Sequence, residues 1–128
     1  MVKTLLLVDD EPEILKCLGD TLNRFGYKVI ARPDGQSALS VIRDGTRVDL
    51  VITDYRMPGM DGLEFILAAK RILPSAPVIM LTAYGDVETY LKAFNLGVFE
   101  YINKPVGAKE LGRIVQAALD NSESGKTV

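Results

Sequence analysis

A chain of 128 residues, 48% apolar and 25% charged with a formal net charge of −2, has the makeup of one ordinary globular domain. Its acids and bases are interleaved, so nothing marks it for direct nucleic-acid binding or for an anionic membrane. It has no histidine and one cysteine, which excludes His-ligated metals, Ser-His and Cys-His nucleophile pairs and an internal disulfide.

The chain opens on "TLLLV" (Thr4–Val8), a continuous apolar run. It is too short for a signal peptide or a membrane span, and a cytoplasmic location is the expectation. The run drives straight into "DDEP", three consecutive acids and a proline. Pro12 suits a first helical turn. Ile14, Leu15, Leu18, Leu22 and Phe25 then follow helical spacing, and Gly26 suits the stop. Cys17, among Leu15, Leu18 and Leu22, reads as a small core residue. "YKVIA" (Tyr27–Ala31) alternates and predicts an outer strand. A second helix, carried by Ala38, Leu39 and Ile42, opens at Asp34 and closes near Gly45.

"DLVIT" (Asp49–Thr53) is the next buried strand, and Asp54 follows it. In "RMPGMDG", Pro58-Gly59 makes a tight turn and Asp61 can cap a helix from Gly62. Met57 and Met60 read as loop packing. Leu63, Ile66, Leu67 and Leu73 carry that helix. "PVIMLT" (Pro77–Thr82) is a fourth strand. Val87, Leu91 and Phe94 define a fourth helix, ended by Gly97. "FEYIN" (Phe99–Asn103) is the fifth strand, and Leu111, Ile114, Val115 and Leu119 define the last helix. Strands apolar on both faces, alternating with helices, predict an α/β fold: a doubly wound five-stranded parallel sheet, (βα)5. One domain over residues 1–120 and a polar tail over 121–128 are expected. The tail's "GKT" is not a phosphate-binding loop, because Asp120 stands where that loop needs glycine.

Ligands of open parallel sheets bind at the carboxyl ends of the strands. Asp9 and Asp10 follow the first strand, Asp54 the third and Lys104 the fifth, and Thr82 ends the fourth. Each alone has an ordinary explanation, such as an acid favouring a helix dipole or a solvated loop lysine. Together they converge on one edge. Clustered carboxylates repel unless a cation relieves them, and an all-oxygen set favours a hard ion such as Mg2+. A carboxylate can also serve as nucleophile toward phosphorus, in a reaction that mainly needs positioning and charge neutralisation.

At these residues the chain closely resembles the receiver domain of bacterial two-component response regulators. The blocks "LLLVDDEP", "DLVITDYRMPGMDGLEF", "PVIMLTAYGD" and "GVFEYINKP" stand in the family's order and spacing, from about Lys3 to Leu119. The flavodoxin-like strand order 2-1-3-4-5 is the family's, so it comes with the resemblance. The resemblance implies that Asp54 is the phosphoacceptor and that Asp10 and Asp54 ligate Mg2+ directly. Asp9 would act partly through water, and the backbone carbonyl of Arg56 would complete the protein's share. Thr82 and Lys104 would contact phosphoryl oxygens, the Lys104–Pro105 bond would be cis, and Tyr101 would be the switch aromatic. Such a domain is no enzyme beyond its own Mg2+-dependent phosphorylation and dephosphorylation. Its partners would be a sensor histidine kinase or phosphotransfer protein, and a phosphorylation-dependent second copy of itself. Its output would be transcription regulation, without nucleic-acid binding by the domain itself. "TAYGDVE" and "RMPGMDG" resemble receivers attached to ATP-dependent transcription activators. Tyr90 and Val98 depart from the family, where alanine is expected.

Three rival readings fit these residues less well. A small-molecule aspartyl-phosphate phosphatase would separate its first two aspartates by one residue, whereas Asp9 and Asp10 are adjacent. A flavin or nucleotide module would carry a glycine-rich loop after the first strand. A receiver used only for binding would not keep the full set of acids, Thr82 and Lys104.

Overall fold

The computed structural model describes residues 1–83 and 85–123. Its elements run β1 (Thr4–Val8), α1 (Pro12–Arg24), β2 (Lys28–Arg32), α2 (Gly35–Arg43), β3 (Leu50–Thr53), α3 (Gly62–Ile72), β4 (Val78–Thr82), α4 (Val87–Asn95), β5 (Glu100–Asn103) and α5 (Ala108–Glu123). All neighbouring strands are parallel, in the order β2-β1-β3-β4-β5. The predicted fold and topology are therefore those observed. Helix α5 continues past Asp120 to Glu123, so the beginning of the expected tail is helical; residues 124–128 lie outside the described residues.

The two faces of the sheet explain the unbroken apolar runs. Successive side chains of a strand point to opposite faces. Leu6 and Val8 of β1 join Leu39, Phe65 and Ile66 on the α2 and α3 side, while Leu5 and Leu7 join Leu22, Leu111 and Val115 on the α1 and α5 side. Truncating a fully buried side chain such as Leu6 or Phe65 to alanine costs about 2–5 kcal/mol, because the lost burial is compounded by a cavity.

Helix starts obey local chemistry. Asp34 accepts the Ser37 N–H at 2.8 Å, Asp86 accepts the Thr89 N–H at 2.8 Å, and Asp61 and Glu64 form a reciprocal capping box at 2.9 Å each way. Helix α1 differs, since its N-cap Glu11 makes no side-chain cap bond and Pro12 opens the helix.

Two expectations along α1 need correction. Cys17 is exposed, not core. It lies two residues from Leu15, roughly 200° around the helix, and so faces away from the surface that Leu15 and Leu22 bury. Phe25, read as the end of the apolar stripe, is exposed at the helix terminus and lies across Gly112 of α5, where a Cβ would come within 2.7 Å of its ring.

Candidate functional site

The ends of β1, β3 and β5 bring their charged side chains to one point. Asp9 leaves β1 with its N–H still donating to the Arg32 carbonyl (3.2 Å), and the Asp54 N–H donates to the Val8 carbonyl (3.0 Å). Each acid is thus fixed by continuation of the sheet ladder beyond the strand, and both are 2% exposed. Lys104 comes from the far edge. Its backbone N–H donates to the Thr82 carbonyl at 2.9 Å, and the following Lys104–Pro105 bond is cis.

The Lys104 ammonium donates to Asp9 Oδ2 at 2.7 Å and to Asp54 Oδ2 at 2.9 Å, with Glu11 Oε1 at 3.5 Å. The other oxygens are also held. Asp9 Oδ1 accepts the Glu11 N–H (2.9 Å), which serves a free amide at the start of α1, and Asp54 Oδ1 accepts the Tyr55 N–H (2.6 Å).

Electrostatics follow from this packing. Burial pushes the Asp9 carboxyl up, and its bonds to Lys104 and the Glu11 amide oppose that only in part. For Lys104, burial pulls the pKa down, but the hydrogen bonds and charges of Asp9 and Asp54 outweigh it and leave the ammonium firmly protonated.

One lysine does not balance the acids around it. Oxygens of Asp9, Glu11 and Asp54 lie within 4.8 Å of one another. Beside them opens a cleft of about 450 Å3 lined by Asp10, Glu11, Asp54, Arg56, Met57 and Pro58. This all-oxygen set, with surplus negative charge, fits a hard divalent cation and offers nothing to a soft one.

The sequence-predicted residues take different places. Asp9, Asp54 and Lys104 are in direct contact. Asp10 is exposed and lines the cleft, as Arg56 does. Thr82 is fully buried at the end of β4. Tyr101 lies one strand further out, with its ring against the core and its hydroxyl shielded from solvent. Burial, then the Asp86 charge, raise its pKa; the Asp86 N–H offsets part of this without reaching hydrogen-bonding geometry.

Sequence reading missed three contributors. Glu11 joins the acid cluster, and only its place as the third acid of "DDEP" could have suggested it. Tyr55 supplies a backbone donor to Asp54. Gly62 lets α3 start hard against the site: its N–H donates to the Tyr55 carbonyl at 2.6 Å, and a Cβ would lie 2.8 Å from Tyr55 Cα and collide with the Asp54 carbonyl.

Known proteins carry the same arrangement of chain. A family model described as "Response regulator receiver domain" matches residues 5–116. The transcriptional regulatory protein GlrR of Escherichia coli is 41% identical over 118 residues, covering 92% of this chain and 26% of that protein. The phosphate regulon transcriptional regulatory protein PhoB of Pseudomonas aeruginosa is 34% identical, covering 96% of this chain and 54% of that protein. Among solved structures, a CheY-like response regulator receiver domain protein of Methanospirillum hungatei superposes with a TM-score of 0.93 at 30% identity, covering 97% of this chain and 98% of that one. The chain thus spans from a quarter to about half the length of these curated relatives.

Proposed function

The chain belongs to the response regulator receiver domain family, and from that premise we propose that it accepts a phosphoryl group on Asp54 from a phosphohistidine of a partner protein. The observation that carries this reading is the placement of Asp54. It is a buried carboxylate at a strand end, with one oxygen on a lysine and the other on a backbone amide, and it opens onto an acid-lined cleft.

In the proposed step an Asp54 oxygen attacks phosphorus. The bond from phosphorus to the partner's imidazole nitrogen breaks, and that nitrogen keeps its electron pair. The donor imidazole must come from outside these 128 residues, which contain no histidine. Lys104 already touches the attacking carboxylate, so it needs only a small shift to pair with a phosphoryl oxygen. The Thr82 hydroxyl serves another such oxygen. Hydrolysis reverses the state: water attacks phosphorus, the bond to the Asp54 oxygen breaks, and the carboxylate is restored.

Asp9, Asp10, Asp54 and the Arg56 backbone carbonyl are the groups that would hold Mg2+. Such an ion supplies neutralisation of the charge that gathers on the phosphoryl oxygens. A sensor histidine kinase or phosphotransfer protein is the proposed donor, in the cytoplasm. The proposed output is transcription regulation through a separate DNA-binding segment, with phosphorylation-dependent pairing of two copies as one route. Among the described residues, no helix is long and apolar enough to cross a membrane.

The test is incubation with a small acyl phosphate and Mg2+, followed by intact-mass measurement. One phosphoryl group, labile to hydroxylamine, is expected on the wild type and none on Asp54→Asn. Full labelling of that variant would show the nucleophile to be another residue.

A further inference from the structure

Lys70 stands apart from the paired charges of the fold. It lies in the last turn of α3 and is partly buried. Its ammonium is laid across Gly97, just past the C-cap of α4: a Cβ on that glycine would stand 3.9 Å from both Cε and Nζ of Lys70. The carbonyl ends of two helices favour a cation there, which accounts for a basic residue at this place. It does not account for the lack of a counter-charge. Among the described residues Lys70 has no carboxylate or hydrogen-bond partner, and burial alone pulls its pKa below the ordinary lysine value. Lys16, Lys92 and Lys104, by contrast, each lie within 3.3 Å of a carboxylate oxygen. Lys70 also lines a cleft of about 540 Å3, together with Pro74, Ser75, Val98, Phe99 and Ser122. This cleft lies where β4 and β5 begin, at the opposite end of the sheet from Asp54, which follows β3.

We propose that Lys70 is an acyl-acceptor site, whose amine takes the acyl half of an acyl phosphate in this cleft. Such a reagent has two electrophilic centres, the phosphorus and the carbonyl carbon. A carboxylate that attacks phosphorus becomes an acyl phosphate itself; an amine that attacks the carbon forms a stable amide. In the proposed step the neutral Lys70 nitrogen attacks the carbonyl carbon. The bond from that carbon to the phosphate oxygen breaks, the phosphate leaves with the electron pair, and the proton on nitrogen passes to it. The products are a neutral amide and inorganic phosphate. Desolvation raises the share of neutral, nucleophilic amine at ordinary pH, as it does for lysines that act in apolar pockets. The amide also removes a partly buried charge that no carboxylate offsets, and a small acyl group finds apolar surface on Pro74, Val98 and Phe99.

No part of this step uses Asp54, Lys104 or Mg2+, so it goes beyond the receiver function proposed above and is independent of it. Its place in the fold gives it a structural consequence. The Ser122 hydroxyl donates to the Ser75 carbonyl at 3.4 Å and so joins the last turn of α5 to the loop after α3. An acyl group on Lys70 enters the cleft beside that joint. One class of reagent thereby marks the domain at two opposite ends, with a phosphoryl group at Asp54 and an acyl group at Lys70.

The experiment incubates the 128-residue chain with acetyl phosphate and a metal chelator, and maps acetylated lysines over time by peptide mass spectrometry. Lys70 should react several-fold faster than the exposed Lys28 and Lys109, equally in the wild type and in Asp54→Asn. Its rate should level off at a lower pH than the acetylation of a free lysine amide in solution, as the direction of its pKa shift requires. In concentrated urea, which opens the cleft, Lys70 should slow to the rate of Lys28 and Lys109. Lys70→Arg should lose the fastest acetyl addition from the intact mass. Equal rates for the three lysines in the folded chain overturn the proposal. A preference for Lys70 that persists in urea overturns it as well, since the reactivity would then belong to the local sequence and not to the cleft. Hydroxylamine strips a phosphoryl group from Asp54 and leaves the lysine amide intact, so failure of acylation at Lys70 and failure of phosphoacceptance at Asp54 are told apart in one sample.

Discussion

Lys104 Nζ donates to Asp54 Oδ2 at 2.9 Å, across 50 residues of sequence. The ammonium thereby supplies counter-charge that a metal ion would otherwise provide, and it lies next to the carboxylate where a phosphoryl group would be held. Asp9, at 2.7 Å from the same ammonium, shares it.

Removing that ammonium should expose the repulsion it hides. Lys104→Met leaves Asp9 and Asp54 adjacent, both 2% exposed, without a counter-charge. The expected loss is about 3 kcal/mol in metal-free buffer, the scale for breaking one partner out of a buried pair. Mg2+ should then restore more stability to Lys104→Met than it adds to the wild type. Thermal melts over a Mg2+ series measure this directly. Equal Mg2+ stabilisation of both proteins would mean that the acids do not form the cation site.

The family resemblance and the observed geometry weight two neighbouring acids differently. Resemblance assigns Asp10 to the metal, whereas the tight oxygen cluster contains Glu11. Glu11 has a side chain 62% exposed and lies at the longest of the Lys104 contacts, so solvent already stabilises it. Asp10 faces the cleft beside Arg56. Asp10→Asn should therefore weaken Mg2+ binding by at least the roughly 10–100-fold typical of changes around a metal site, and Glu11→Gln should weaken it far less. Following backbone amides near Asp54 and Arg56 during Mg2+ titration decides the matter. The reverse ranking would make Glu11 the ligand.

Much of this was legible before any coordinates. The runs "LLLV", "LVI" and "VIML" are apolar at successive positions because both faces of their strands are covered, and that pattern belongs to parallel sheets. Asp34 and Asp61 sit one residue before α2 and α3, where the free amides are. What remained hidden depends on distances across the fold. Spacing along α1 placed Cys17 among leucines but not on their side of the helix. Nothing in "TAYGD" shows that a tyrosine ring from β5 comes to rest on Gly85, because the contact joins β5 to the segment between β4 and α4. Likewise the acids of "DDEP" look equivalent in sequence, and only the turn made by Asp9 onto the Glu11 amide separates their directions.

Gly62 offers a purely steric test of how the site is framed. Its missing Cβ allows α3 to begin against the backbone of Asp54 and Tyr55. Gly62→Ala would ordinarily be helpful in a helix, since alanine is the better helix former. Here it should cost about 1–3 kcal/mol through overpacking, which lowers the melting temperature by about 3–6 °C per kcal/mol for a domain of this size. Because the displaced groups belong to Asp54, phosphorylation by acyl phosphate should also slow. A variant as stable and as quickly phosphorylated as wild type would show that the loop after β3 yields freely.

Thr82 separates accepting the signal from transmitting it. Its side chain is fully buried at the end of β4, and its backbone carbonyl holds the Lys104 amide at 2.9 Å. Thr82→Ala keeps that carbonyl, so Lys104 and Asp54 should stay in place and acyl-phosphate labelling should persist. The hydroxyl that would be drawn to the phosphoryl oxygens is gone, however. Phosphorylation adds about one further negative charge and strong acceptor oxygens at Asp54, and Thr82 is the proposed link from these to Tyr101 and the exposed apolar ridge of α4 formed by Val87, Tyr90, Leu91 and Phe94. Coupling between the sites is reciprocal: if phosphorylation favours a second copy on that ridge, self-association must favour phosphorylation. Sedimentation of wild type, Thr82→Ala and Tyr101→Ala, each with and without acyl phosphate and Mg2+, reads this coupling. The wild type should change its association on phosphorylation, and the two variants should change much less while carrying the same phosphoryl load. An equal response of all three proteins would rule out the route through Thr82 and Tyr101, even with Asp54 fully phosphorylated.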